Sequence, residues 1–192
     1  MLCLKAPTHP EWVHVAATHI ADIMRDHAHC EKKAAFNALN LIMRYPDKHD
    51  LVREALVILE EETAHFKLIL GELEQRGLSL GIDAGNPYAQ QLSSIISKRE
   101  PMRLLDSLLV DCLIEARSCE RFTLLAGCES IPPDIRGIYH TLMASEEGHY
   151  TTFVAIAKRY FPANLVDQRL EEIASYEATI VQSLTNQPAM HG

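Results

Sequence analysis

Two segments of this 192-residue chain place a glutamate three residues before a histidine: Glu62-Thr-Ala-His65 and Glu146-Glu-Gly-His149. On a helix, residues three apart occupy neighbouring positions on one face, so both side chains of a pair can reach one metal ion. A single pair says little, because glutamate and histidine are common on solvated faces. The spacing to two further glutamates says more. Glu31 precedes Glu62 by 31 residues, and Glu115 precedes Glu146 by the same 31. Each half of the chain therefore reads Glu and then, 31 residues on, Glu-x-x-His. Carboxylates bridge and charge-balance two divalent ions, and imidazole suits iron better than calcium or magnesium. The expected chemistry is that of two metal ions held by Glu31, Glu62, His65, Glu115, Glu146 and His149.

Helical hairpins explain the number 31. From Glu31 to Tyr45 the chain runs about 21 Å at 1.5 Å per helical residue, and from His49 back to Glu62 about 20 Å. The second half goes out from Glu115 to Ser130 and returns from Pro132 to Glu146, level again to within about 2 Å. Proline and glycine mark the turns. A first helical region spans about Pro10 to Tyr45, with a break near Arg25–Asp26, and Pro46 ends it. A second helix covers about Asp50 to Arg76 and stops at Gly77. The stretch GLSLGIDAGNPY is the least regular, and a short helix follows over about Tyr88–Lys98. A third main helix runs from Pro101 to about Cys128, a fourth from Asp134 to Tyr160 and a fifth from Asn164 to Ser183. Nothing reads as a strand. The expectation is an all-α, ferritin-like four-helix bundle with extra flanking helices and one long crossover, Gly77 to Pro101, between its hairpins. Residues 1–192 form a single domain on this reading, with a tail over 185–192 that frays.

Composition narrows the class further. Apolar residues make up 47 %, which suits a globular core. No run of about 18 uncharged apolar residues occurs, so no membrane span is expected, and the N-terminus lacks a secretory pattern. A cytoplasmic location is the expectation. Five cysteines with no CxxC pair argue against a disulfide framework or zinc knuckle, and each reads as a small apolar residue. The net charge of −8 speaks at face value against nucleic-acid binding. Among rival ligands, Glu120 lies about 140° round the helix from Glu115, while Glu60, Glu61 and Glu147 read as solvent-facing. His27 and Asp111 each lie four residues before a ligand glutamate. They are either partners that orient ligands or ordinary polar residues. Phe36, Phe66, Phe122 and Tyr150 line a pocket or simply fill the core.

Around these residues the sequence resembles a known family. The strings DHAHCEKKAAFNALNLI, EEETAHF, LIEARSCERF and ASEEGHY are similar to those of bacterial tRNA hydroxylases acting on 2-methylthio-isopentenyladenosine. The likeness covers about residues 10–160, and its specific part surrounds Glu31 and Glu115. The resemblance implies an O2-dependent non-haem di-iron monooxygenase that hydroxylates the isopentenyl group of a tRNA nucleoside. All six ligand positions match. It further implies two iron ions, O2 as co-substrate and an external electron donor, since no flavin or nicotinamide motif is present. The partners implied are tRNA and an electron-transfer protein, with no membrane, and a monomer or small oligomer rather than a cage. Lys32, Lys33, Lys98, Arg99 and Arg103 are candidates for contact with tRNA phosphates, although charge pairs of this kind also make ordinary solvated faces. A ferritin-like ferroxidase or storage protein, a peroxide-scavenging dimetal enzyme and a metal-free bundle remain as rival readings.

Overall fold

The structure is a computed structural model that describes residues 3–85, 87–184 and 187–192. Seven helices carry the regular structure of the described residues: α1 (Pro10–Thr18), α2 (Ile20–Arg44), α3 (His49–Gln75), α4 (Pro87–Ser93), α5 (Met102–Gly127), α6 (Pro133–Tyr160) and α7 (Ala163–Ser183). No strand occurs among those residues, as the all-α reading requires. The helices cluster into two compact units. One comprises His19–Gly85 with Pro188–Met190, the other Met1–Thr18, Asn86–Gln187 and His191–Gly192.

The α2–α3 unit is a helical hairpin. Its first helix stops at Tyr45, whose amide bonds the Leu41 carbonyl at 3.0 Å, because Pro46 offers no amide to continue the ladder. The second helix ends in a left-handed glycine, Gly77, at φ 67°. The Leu78 amide reaches back to the Leu73 carbonyl and the Gly77 amide to that of Glu74, both at 2.9 Å, which satisfies two carbonyls that a helix end leaves open. α3 buries Leu51, Ala55, Ile58, Glu62, Ile69 and Leu73, a stripe at the three- and four-residue intervals of one helix face. Glu62 is the acid within that stripe. Phe36 does not fill the core, since it is 62 % exposed.

Two local expectations for this unit are corrected. The helix break falls at His19, whose backbone (φ −117°, ψ 37°) is not helical, rather than at Arg25–Asp26. Those two residues lie inside α2 and send their side chains elsewhere. Arg25 Nε donates to the Ser79 carbonyl at 3.1 Å, and Asp26 accepts the Met190 amide at 2.7 Å. That last bond bears on the tail expected to fray. Thr185 and Asn186 lie outside the described residues, but Met190 is fully buried and tied by its backbone.

In the α5–α6 unit, α5 packs along α6 and also meets α1, α4 and α7. This explains why α5 is buried on most of its sides, from Leu104 to Leu125. α6 buries Ile135, Tyr139, Leu142, Glu146, His149, Phe153, Ile156 and Ala157, in alternating steps of four and three residues up to the adjacent pair at its end. A polar network holds the N-terminal segment and α7 onto α5. Arg117 Nε and Nη2 donate to the two carboxylate oxygens of Glu177 at 2.9 and 3.0 Å, and Nη2 also reaches the Ala6 carbonyl at 2.9 Å. The Arg121 guanidinium lies 4.5 Å over the Trp12 ring, a cation–π contact. His191 stacks on Tyr88 with centroids 4.9 Å apart, so the end of the tail is ordered here too. α4 stops at Ser93 instead of Lys98. The Ser97 amide is taken by Asp106 Oδ2 at 2.8 Å, and Arg169 grips the same carboxylate at 2.7 Å.

Candidate metal centre

Each unit carries one glutamate and one Glu-x-x-His pair. In the α2–α3 unit, one ligand atom from each of Glu31, Glu62 and His65 comes within 4.8 Å of the others. In the α5–α6 unit the same holds for Glu115, Glu146 and His149. All four glutamates and His149 are buried, and the His65 side chain is 13 % exposed. The hairpins produce this convergence as their lengths require: out and back along two helices returns the chain to one level. Glu62 and Glu146 with His149 occupy apolar-stripe positions, where the helix face dictates burial whatever the side chain.

The donor chemistry fits a divalent first-row metal. Two buried carboxylates this close repel one another unless a cation or a shared proton lies between them, and buried charge without compensation is expensive. Two carboxylates and an imidazole per unit, with no thiolate, are a donor set that iron and manganese accept. Around Glu31 the apparatus extends further. Burial pushes the Glu31 carboxyl up, but the His27 charge and hydrogen bonds from His27, His65 and Glu62 outweigh it and leave it well below the usual carboxylate range. His27 Nε2 bonds Glu31 Oε1, and His65 Nδ1 lies 3.4 Å from Oε2. An ionised, oriented Glu31 is what a metal ligand requires. Asp111 behaves oppositely: burial, then the neighbouring Glu115 charge, raises its carboxyl to about 7.

Other acids are accounted for. Glu120 accepts the Thr8 amide at 3.0 Å and the Thr8 hydroxyl at 2.7 Å and pairs with Arg117, so it serves the polar network. Glu60, Glu61 and Glu147 are exposed. Of the basic candidates, Lys33 and Lys32 face Asp83 at 3.0 and 3.6 Å. Lys98 and Arg99 are exposed and Arg103 is half-buried; these three make no ion pair among the described residues. Phe122 packs on Tyr139, with centroids 5.3 Å apart, as a core residue of its unit. Cys112 and Cys119 are buried, whereas Cys3, Cys30 and Cys128 are only partly so, and all five are free thiols. The residues that sequence reasoning missed are Arg117 and Glu177. A signal existed, since Glu177 interrupts the buried run Ile173, Ala174, Ala178, Ile180 and Val181 of α7.

An all-α chain whose two hairpins each converge carboxylates and a histidine has the makings of a ferritin-like, metal-binding oxygenase. The solved protein described as "Protein 43 with aldehyde deformylating oxygenase activity from Synechococcus" matches it with a TM-score of 0.95 and 37 % identity, covering 100 % of this chain and 96 % of that one. The model of the family "tRNA-(MS[2]IO[6]A)-hydroxylase (MiaE)" matches residues 1–192. A tRNA 2-(methylsulfanyl)-N(6)-isopentenyladenosine(37) hydroxylase from Pseudomonas putida is 31 % identical over 98 % of this chain and 91 % of its own length. The protein of the same description from Salmonella typhimurium is 28 % identical over 72 % of this chain, which spans 50 % of that relative. The chain belongs to this tRNA hydroxylase family and is an enzyme of the ferritin-like oxygenase type. No helix of the described residues is long and apolar enough to cross a membrane.

Proposed function

We propose that this protein is an O2-dependent di-iron monooxygenase that hydroxylates the isopentenyl group of 2-methylthio-isopentenyladenosine in tRNA. Glu31, Glu62 and His65 of one unit and Glu115, Glu146 and His149 of the other serve one two-iron centre, which makes the chain a single functional domain. The observation that carries this is the duplicated triad: in each unit, buried carboxylates and an imidazole with ligand atoms within 4.8 Å of one another. Bound iron supplies the one-electron and O2 chemistry that no amino-acid side chain can. The chain's own residues hold and orient. His27 fixes Glu31 through Oε1, the apolar stripes around Glu62 and Glu146 exclude water, and the open position must face the substrate methyl. Electrons come from an external electron-transfer partner. Lys32, Lys33, Lys98, Arg99 and Arg103 meet tRNA phosphates, and the enzyme works in the cytoplasm as a monomer or small oligomer.

The test is direct. Reduced, iron-loaded protein is incubated with O2 and tRNA carrying the hypermodified adenosine, and the nucleosides are analysed by mass. Gain of one oxygen on that nucleoside is expected. Its absence from a preparation holding about two irons per chain would overturn the reading. The 37 % identity to the Synechococcus protein supports a second reading, an aldehyde-deformylating oxygenase. The same preparation given an aldehyde would then release the formyl group, with no dependence on tRNA.

A further inference from the structure

Asp83, in the glycine-rich connection after α3, is gripped by basic groups of α2. Its Oδ1 accepts from Lys33 Nζ at 3.0 Å and from the Gly85 amide at 2.9 Å. Its Oδ2 lies 3.6 Å from Lys32 Nζ and 4.0 Å from His29 Nδ1. Lys32 also reaches His29 Nδ1 at 2.9 Å, so a neutral His29 carries its proton on Nε2. That atom is buried and has no hydrogen-bond partner among the described residues. One carboxylate thus faces two ammonium groups and an imidazole, with the Asp26 carboxylate as a second acid near Lys33, on a chain whose net charge is −8. The arrangement is accessible: Lys32 is 45 %, Lys33 36 % and Asp83 26 % exposed. The segment holding Asp83 is shaped by Gly81 and Gly85 in left-handed conformation, φ 72° and 83°. Beside Asp83, Ile82 is 97 % exposed.

We infer that the Asp83 carboxylate is an internal stand-in for a phosphate group, and that a tRNA backbone phosphate displaces it from Lys32 and Lys33 and releases the loop of residues 78–85. This rests on the tRNA reading above. The chemistry favours the exchange. A phosphate diester offers anionic oxygens to the same ammonium donors, and its binding is reinforced by release of counterions from the RNA, which the internal carboxylate cannot provide. An exposed ion pair of the Lys33–Asp83 kind is worth little, so it is easily broken. Asp83 remains ionised throughout: burial pushes its carboxyl up, but the Gly85 amide and Lys33 hold it below the usual range. The stand-in therefore keeps the lysines from weakly bound anions, and loop movement, with Ile82 aboard, is linked to RNA docking.

The iron-loaded full-length enzyme is titrated with substrate tRNA at several salt concentrations. Asp83→Asn keeps an acceptor for the Gly85 amide but removes the charge. It should bind tRNA about three- to tenfold more tightly, whereas Asp47→Asn, an exposed acid in the α2–α3 turn, should change little. Lys32→Ala/Lys33→Ala should weaken binding, lower the salt slope by about 0.7–0.9 per lost contact and abolish the effect of Asp83→Asn. In the wild type, hydrogen exchange at the Gly85 amide should quicken when tRNA binds, a measurement that needs no variant. If the wild type hydroxylates tRNA but Asp83→Asn binds as it does and Gly85 exchange is unchanged or slower, this inference alone falls. If the wild type neither binds nor hydroxylates tRNA, the functional reading falls and this one with it.

Discussion

Glu177→Ala tests whether the buried Arg117–Glu177 pair anchors α5, the helix that carries Glu115. Both side chains are fully buried. The pair is bidentate, at 2.9 and 3.0 Å, and the Tyr88 hydroxyl donates to the same carboxylate at 3.0 Å. Burial alone would push the Arg117 guanidinium down, but Glu177 and Glu120 hold it firmly protonated. Truncating Glu177 therefore leaves the buried guanidinium to the partly exposed Glu120 as its carboxylate partner and leaves the Tyr88 hydroxyl without this acceptor. Breaking a buried pair by removing one partner costs about 3–5 kcal/mol. For a chain of this size each kcal/mol lowers Tm by about 2–4 °C, so the drop should be roughly 6–20 °C. Urea midpoints and calorimetry at pH 7 measure it. Replacing both partners, Arg117→Met with Glu177→Met, removes the buried guanidinium and should recover much of the loss, because well-packed apolar residues substitute for buried ion pairs at little cost. A Glu177→Ala protein within about 1 kcal/mol of wild type would refute the argument.

Two further outcomes follow from the centre itself. Asp111 keeps its proton to about pH 7 in the folded, metal-free chain, against about 3.9 when unfolded. The folded state thus binds more protons between those values, and this group's contribution to stability is lost as pH rises from about 4 to 7. Chelated Asp111→Asn protein should be more stable than wild type at pH 8, by at most about 4 kcal/mol, and indistinguishable from it in this respect near pH 4; equal stability at both pH values would contradict the shift. Glu146→Gln preserves shape while removing a ligand charge. Metal analysis should show about one equivalent lost per chain with the far-ultraviolet dichroism unchanged, and full retention of metal would remove Glu146 from the ligand set.

What could be read in advance was local and periodic. The Glu-x-x-His pairs and the Pro46 and Gly77 stops depend on residues within a turn or two of each other, the equal 31-residue spacings on the lengths of two straight helices, and helix geometry converts both directly into structure. Three things depended on partners far along the chain. Asp26 is a tail anchor only because Met190 comes to it, and the α4 end is decided by Asp106 and Arg169. Arg117 finds Glu177 across a gap of 60 residues. The His19 break was hidden for another reason: no glycine or proline marks it, and only the division into two units at that point puts a boundary there.

The four-three rhythm of buried positions along α6 has an evolutionary consequence. Deleting one residue between Pro133 and Leu142 would turn every preceding side chain by about 100° relative to those that follow, setting the first half of the helix against the face it now buries. Substitutions at exposed sites leave that phase intact, but insertions and deletions do not. Length variation among descendants of this chain should therefore collect in the connection from Gly77 to Pro101, while α2, α3, α5 and α6 keep their residue counts even as their surfaces diverge.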